Sequence, residues 1–121
     1  MITIGFVLAG ILAAAIIAIG ARFLVAPAVA AAGYGVPDGA PGGAYLSAKG
    51  VRDIASGLLV TVAMMHGDAH LLGALVLAAT VIPVADAAIV LRHGGARSIA
   101  YGVHGGTAAV MLATAALLLL G

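Results

Sequence analysis

The first long stretch of the chain, ITIGFVLAGILAAAIIAIGARFL from Ile2 to Leu24, decides the class of fold. It is apolar almost throughout, and Arg22 near its end is its only charged residue. A helix of about 20 consecutive apolar residues crosses the hydrocarbon core of a bilayer. A cleaved signal peptide is the alternative, but the stretch has no positive start and is longer than a signal core. We therefore predict a membrane-spanning helix.

The composition of the whole chain agrees with that prediction. The 121 residues are 64% hydrophobic and 7% charged, which leaves too few polar residues to cover a soluble globule. A net charge of +1 is too small to indicate nucleic acid as a partner, and the absence of Cys excludes disulfides and thiolate metal sites. We expect one transmembrane domain, 1–121, without cofactor or metal. The Ala- and Gly-rich, Lys-poor composition is typical of GC-rich bacterial genomes.

Three more apolar runs of similar length follow the first. Their continuous rather than alternating apolar character favours helices over membrane strands. Two of the connections, HGDAH and RHGGAR, are short, so the helices that they join are antiparallel neighbours. The predicted fold is an all-α, integral membrane four-helix antiparallel bundle with helices near 2–24, 47–65, 71–91 and 98–120.

The positive residues indicate how the bundle lies in the membrane. All five flank the first and third connections, namely Arg22, Lys49, Arg52, Arg92 and Arg97. Cytoplasmic loops carry an excess of Lys and Arg. We therefore expect this side to face the cytoplasm across a cell inner (plasma) membrane, with both termini extracytoplasmic.

Three ionisable residues on three different helices lie at a similar depth from that side. At 1.5 Å per residue, Asp53 is roughly 9 Å inside Ser47, Asp86 roughly 9 Å inside Arg92, and His104 roughly 10 Å inside its own helix end. Charged groups are costly in lipid, so these side chains should face the bundle interior and share partners. We expect Arg52 and Arg22 to be the counter-ions. Lys49 is interpreted as a simple interfacial anchor.

The last helix carries a mildly polar face. His104, Thr107, Met111 and Thr114 follow a spacing of three, four and three residues, which places them on one side of a helix. Tyr101 lies one turn before His104, and we include it among the ligand-binding candidates. His104 itself is interpreted either as a satisfied interior histidine or as a group that handles protons.

Two prolines predict local features. Pro83 removes a backbone hydrogen bond, so it should kink the third helix and leave the Ala79 carbonyl free to face a cavity. Pro27 suits the first position of a short interfacial helix through Ala32. His66, Asp68 and His70 resemble metal ligands in their spacing, but three ligands in so short an external turn are unusual, and we predict no metal site there.

Several motifs together resemble those of a family of small four-span membrane proteins related to the DoxX-like group. They are ARFLVAPAVAAAGYGVP, KGVRDIASG, PVADA and HGG, and the resemblance covers most of the chain. It implies a four-helix membrane bundle in which these polar residues belong to the family pattern. It implies no reaction and no ligand.

The depth-matched polar residues favour a site for a lipophilic small molecule in the cytoplasmic half of the bundle. Asp53, Asp86 and His104 are the candidates for acid–base catalysis, and Arg22, Arg52 and Tyr101 are those for ligand binding. Whether a reaction is catalysed stays open. A homo-oligomeric proton- or ion-coupled transporter and a structural partner of another membrane protein are the alternatives.

Overall fold

A computed structural model describes residues 1–35 and 43–121, and its secondary structure is entirely helical. The prediction of an all-α chain is thereby confirmed. The glycine- and proline-rich end of the first connection, with Pro37 and Pro41, lies outside the described residues. The elements are α1 (Ile2–Val25), α2 (Pro27–Tyr34), α3 (Gly43–His66), α4 (Ala69–Ala79), α5 (Val81–Arg92), the π-helical segment π1 (Ser98–Gly105) and α6 (Gly106–Leu120).

Within the described part of the chain, three helical stretches are long and apolar enough to cross a membrane. They are Ile2–Val25, the consecutive helices α4 and α5 from Ala69 to Arg92, and π1 with α6 from Ser98 to Leu120. These stretches indicate a membrane protein. Helix α3 is 24 residues long, but any 18-residue window within it contains Lys49, Arg52 and Asp53. Its charge therefore separates it from the other three.

Helices α1 and α3 pack side by side in opposite directions through glycines. A Cβ on Gly20 would lie 2.5 Å from the carbonyl oxygen of Gly50, and a Cβ on Gly50 would lie 2.6 Å from that of Gly20. Further along, Gly57 lies against Ala13 and Ile17. Only residues without a side chain allow two backbones to approach this closely. The two glycines therefore fix the spacing and register of this pair.

The two ends of the molecule differ in composition. At one end, here called the apolar end, α6 packs against α1 and α4 around the buried residues Ala9, Ala63, Leu72, Val76, Ala115 and Leu118. Leu118 is fully buried there, against Gly5 and Gly73. The other end, here called the polar end, contains α2 and the five Lys and Arg residues. A second buried cluster of Phe23, Ala30 and Leu46 holds α2 in place there.

Helix α2 begins as its sequence predicts. The backbone breaks at Ala26, and Pro27 occupies the first helical position. An N–H at that position makes no hydrogen bond within the helix, so its absence in proline costs none. The helix runs two residues further than the predicted end at Ala32. It ends at Tyr34 and is followed by Gly35, whose φ of 102° lies in the left-handed region that favours glycine.

The remaining helices contain two irregularities. The predicted helix near 71–91 begins two residues earlier and is interrupted at Thr80, three residues before Pro83, in line with the expected kink. The helix that follows begins at Ser98 as predicted, but its first eight residues are π-helical rather than α-helical. Spacing rules for α-helices do not reveal such a segment, since they assume 3.6 residues per turn throughout.

Candidate functional site

A cavity of about 510 Å³ extends from the apolar core to the polar end. Every helical element contributes to its wall. Most of the wall is aliphatic, with Leu12, Ile16, Ile19, Leu59, Val60, Leu75, Val76, Ile82 and Met111 among its residues. The ionisable side chains that line it are Arg22, Tyr34, Lys49, Asp53, Asp86 and His104. The cavity is therefore amphipathic, since these groups all belong to its polar end.

Asp86 lies at the centre of the polar contacts. The Tyr34 hydroxyl donates a 2.7 Å hydrogen bond to Oδ1 of Asp86, and Nδ1 of His104 lies 3.9 Å from Oδ2. Burial and the bond to this carboxylate raise the pKa of the Tyr34 hydroxyl above its usual value. Tyr34 therefore stays protonated and acts as a donor at neutral pH.

The orientation of His104 follows from a backbone contact. Its Nε2 lies 2.9 Å from the carbonyl oxygen of Tyr34, and a carbonyl only accepts hydrogen bonds. Nε2 must therefore carry the proton, which leaves Nδ1 in the neutral ring as an acceptor next to Asp86. The two rings also pack, with centroids 4.9 Å apart. Tyr34 thus connects α2 to both α5 and π1.

Lys49 and Asp53 form a second polar group on α3. Nζ of Lys49 donates a 2.9 Å hydrogen bond to Oδ2 of Asp53, one helical turn away. The same ammonium lies 4.6 Å from the centre of the Phe23 ring and 5.2 Å from that of Tyr34. Two aromatic faces and a carboxylate therefore hold this cation inside the polar end.

The structure brings four of the six predicted site residues together. Asp53, Asp86, His104 and Arg22 all line the cavity, although they come from four different elements. Arg52 and Tyr101 do not line it, and both are exposed, Tyr101 to 64%.

Arg52 is one of the two expected counter-ions, but among the described residues it makes no ion pair. Arg52 is adjacent to Asp53 in sequence, and neighbouring residues point about 100° apart on a helix. Lys49 is four residues from Asp53 and shares its face, so it forms the pair. The interpretation of Lys49 as a simple anchor is corrected by the same contact.

Sequence reasoning did not select Tyr34 as a site residue. It lies in a connection rich in glycine and proline, a context typical of turns. The sequence feature that could have indicated Tyr34 is its position at the end of the short helix that starts with Pro27. An aromatic side chain at that position can contact neighbouring helices. Its contacts with Asp86 and His104 depend on elements more than 50 residues away.

Two other predicted features reach the cavity. Pro83 and Ala79, whose carbonyl has no donor at Pro83, both line its wall. His104, Thr107 and Met111 line it from π1 and α6, whereas Thr114 is fully buried elsewhere in the packing. Part of the predicted polar face of the last helix thus belongs to the cavity.

Comparison with known proteins gives one match. The model of a family described as a domain of unknown function (DUF4267) matches residues 13–118. The matched range includes all the ionisable residues that line the cavity. No curated protein and no solved structure matches the chain.

Proposed function

This chain belongs to the DUF4267 family, whose description assigns no activity, and we propose from its cavity that it binds a lipophilic small molecule. One observation carries the proposal. The cavity is aliphatic along most of its wall and has its ionisable groups at one end. Ligand sites typically enclose about 300–1,000 Å³ and combine apolar walls with a few polar groups that fix orientation. The 510 Å³ cavity lies within that range.

In this proposal the polar end handles a proton on the head of the ligand. Asp86 and Nδ1 of His104 both present acceptors to the cavity and act as the acid–base pair. Tyr34 keeps a protonated hydroxyl on Asp86, and Asp53 holds Lys49 in the wall. Arg22 supplies a further fixed positive charge.

We further propose that the helices form a four-span antiparallel bundle, with α3 as the fourth span. The half of α3 beyond its charges exposes large apolar residues that suit contact with lipid, namely Leu58, Val62 and Met65. The polar end would face the cytoplasm of the inner membrane by the positive-inside rule, with both termini opposite. A relationship to the DoxX-like group fits such a bundle.

Native mass spectrometry of the gently solubilised protein tests the binding proposal. We expect a discrete non-phospholipid mass on each chain. Gly33 lines the cavity, and a Cβ there would meet no atom within 4 Å, so Gly33→Leu should fill the space without a clash and reduce the occupied fraction about tenfold or more.

Gly102→Leu is the matched control. A Cβ at Gly102 also meets no atom within 4 Å, but this residue does not line the cavity. The control should keep its bound mass. Wild-type protein without any bound small molecule, or equal occupancy in both variants, would contradict the proposal.

A further inference from the structure

The length of the cavity favours an elongated ligand. Its wall on α1 runs from Ala9 to Phe23, which is roughly 20 Å along the helix axis. A cavity of this length with a mostly aliphatic wall suits an extended hydrocarbon chain.

The charges at the polar end restrict the head of the ligand. Among the described residues, two cations and two carboxylates line the cavity, namely Arg22, Lys49, Asp53 and Asp86. These four formal charges sum to zero. An ionised head would make that sum non-zero in a region of low dielectric, which is unfavourable. The balance therefore favours an uncharged head.

The hydrogen bonds still available specify the head further. Lys49 is held by Asp53, and the Tyr34 hydroxyl is held by Asp86. Arg22 makes no ion pair with another described residue, so its donors can reach a ligand. Asp86 Oδ2 and His104 Nδ1, 3.9 Å apart, remain as acceptors. A matching head must both accept and donate hydrogen bonds.

We propose that the ligand is an elongated amphiphile whose uncharged head carries a hydroxyl group, as in a long-chain or isoprenoid primary alcohol. This inference rests on the proposed function and names its ligand class. The hydroxyl donates to Asp86 or to Nδ1 of His104 and accepts from Arg22. An ester only accepts, a carboxylate adds a negative charge, and an ammonium adds a positive charge and cannot accept.

Competition between matched amphiphiles tests the inference. A radiolabelled long-chain primary alcohol is bound to the purified protein and displaced by the same alcohol, its methyl ether, the carboxylate and the amine. We expect the alcohol to displace the label at concentrations at least about tenfold lower than the other compounds. Equal or better displacement by the carboxylate or the amine would overturn the uncharged head, and equal displacement by the methyl ether would overturn the hydroxyl.

A substitution at Asp86 tests whether this residue causes the preference for the alcohol over its methyl ether. Asp86→Asn adds a donor where the wild type only accepts, so the preference for alcohol over methyl ether should fall severalfold. Asp68→Asn, an exposed change at the apolar end that keeps a capping side chain, should leave the preference unchanged. This ratio does not depend on the fraction of protein that is folded, and an unchanged ratio in Asp86→Asn would contradict the assignment.

The result also separates the inference from the proposed function. The labelled alcohol could fail to bind while another lipophile co-purifies with the wild type and is lost in Gly33→Leu. In that case the proposed function stands and the ligand class is wrong. If no lipophile binds, both are wrong.

Discussion

The apolar and polar ends of the molecule are packed in different ways. At the apolar end, Leu118 fits against Gly5 and Gly73, and the buried residues leave little space between helices. At the polar end, the helices line a cavity, and contacts among Tyr34, Lys49 and Asp86 replace aliphatic packing. Close packing at one end supplies a frame, and the opposite end can then hold charges and open space.

The two helix irregularities, the break at Thr80 and the segment π1, lie next to the cavity. Pro83, three residues after the break at Thr80, and His104 in π1 line the cavity. The residues of α6 near Leu118 stay regularly helical. Local distortions of helices often occur at functional sites because they redirect side chains. Here they place a histidine and a free carbonyl next to the same space.

The largest expected effect comes from disrupting the apolar end. Leu118→Ala removes a fully buried side chain and leaves a void, and we expect it to lower the free energy of unfolding by about 2–5 kcal/mol. Leu120→Ala is the control, because that side chain is 80% exposed on the same helix. Denaturant unfolding in detergent measures both. Equal losses would mean that the apolar end is not the close-packed frame.

Removing the hydroxyl that joins α2 to α5 should have an intermediate effect. Tyr34→Phe leaves the Asp86 carboxylate without its donor, and we expect a loss of about 1–3 kcal/mol with faster hydrogen exchange in α2. Tyr45→Phe alters a side chain that is 74% exposed and should change neither quantity. If the exchange rate of α2 is the same in both variants, Tyr34 does not hold the helix in place.

A comparison of two cations on α3 should give a smaller difference. Lys49→Met removes an ion pair and two aromatic contacts from a partly exposed side chain, so the expected loss of stability is about 1 kcal/mol or less. Arg52→Met alters an exposed residue and should be close to neutral. Thermal unfolding of the two variants decides between them. A greater loss in Arg52→Met would contradict the importance of the Lys49–Asp53 pair.

The smallest effect concerns pH and the turn at the apolar end. Asp68 caps α4 by accepting hydrogen bonds from the amides of Leu71 and His70, which hold the pKa of its carboxyl below the ordinary value of 3.8. Because the folded pKa is lowered, this stabilisation is present above pH 3.8 and is lost as the pH falls through the folded value.

Asp68→Asn should therefore flatten the stability curve on its acid side, below pH 3.8, and leave the curve near neutrality almost unchanged. Unfolding measured across that range checks the expectation. A parallel shift of the entire curve would show that the carboxylate charge acts by another route.

The sequence predicts the helices well because their signals are local. Apolar length located Ile2–Val25 and Ser98–Leu120 to within a residue, and Pro27 predicted the start of α2. The partners in the site depend on contacts between distant segments. Lys49 and Arg52 are equivalent in charge, and the choice between them follows from helical phase and from the rings of Phe23 and Tyr34. No local pattern encodes those rings as neighbours.

Because of the π-helical segment, the geometry of the site depends on the number of residues in π1 as well as on their types. In π1 each hydrogen bond spans five residues instead of four, so the segment holds more residues per turn than the helix that follows. Deleting one residue between Ser98 and His104 would rotate everything before it by about 100° relative to α6. A deletion of this kind, even with every polar residue retained, would thus change how the residues before it are oriented relative to the cavity.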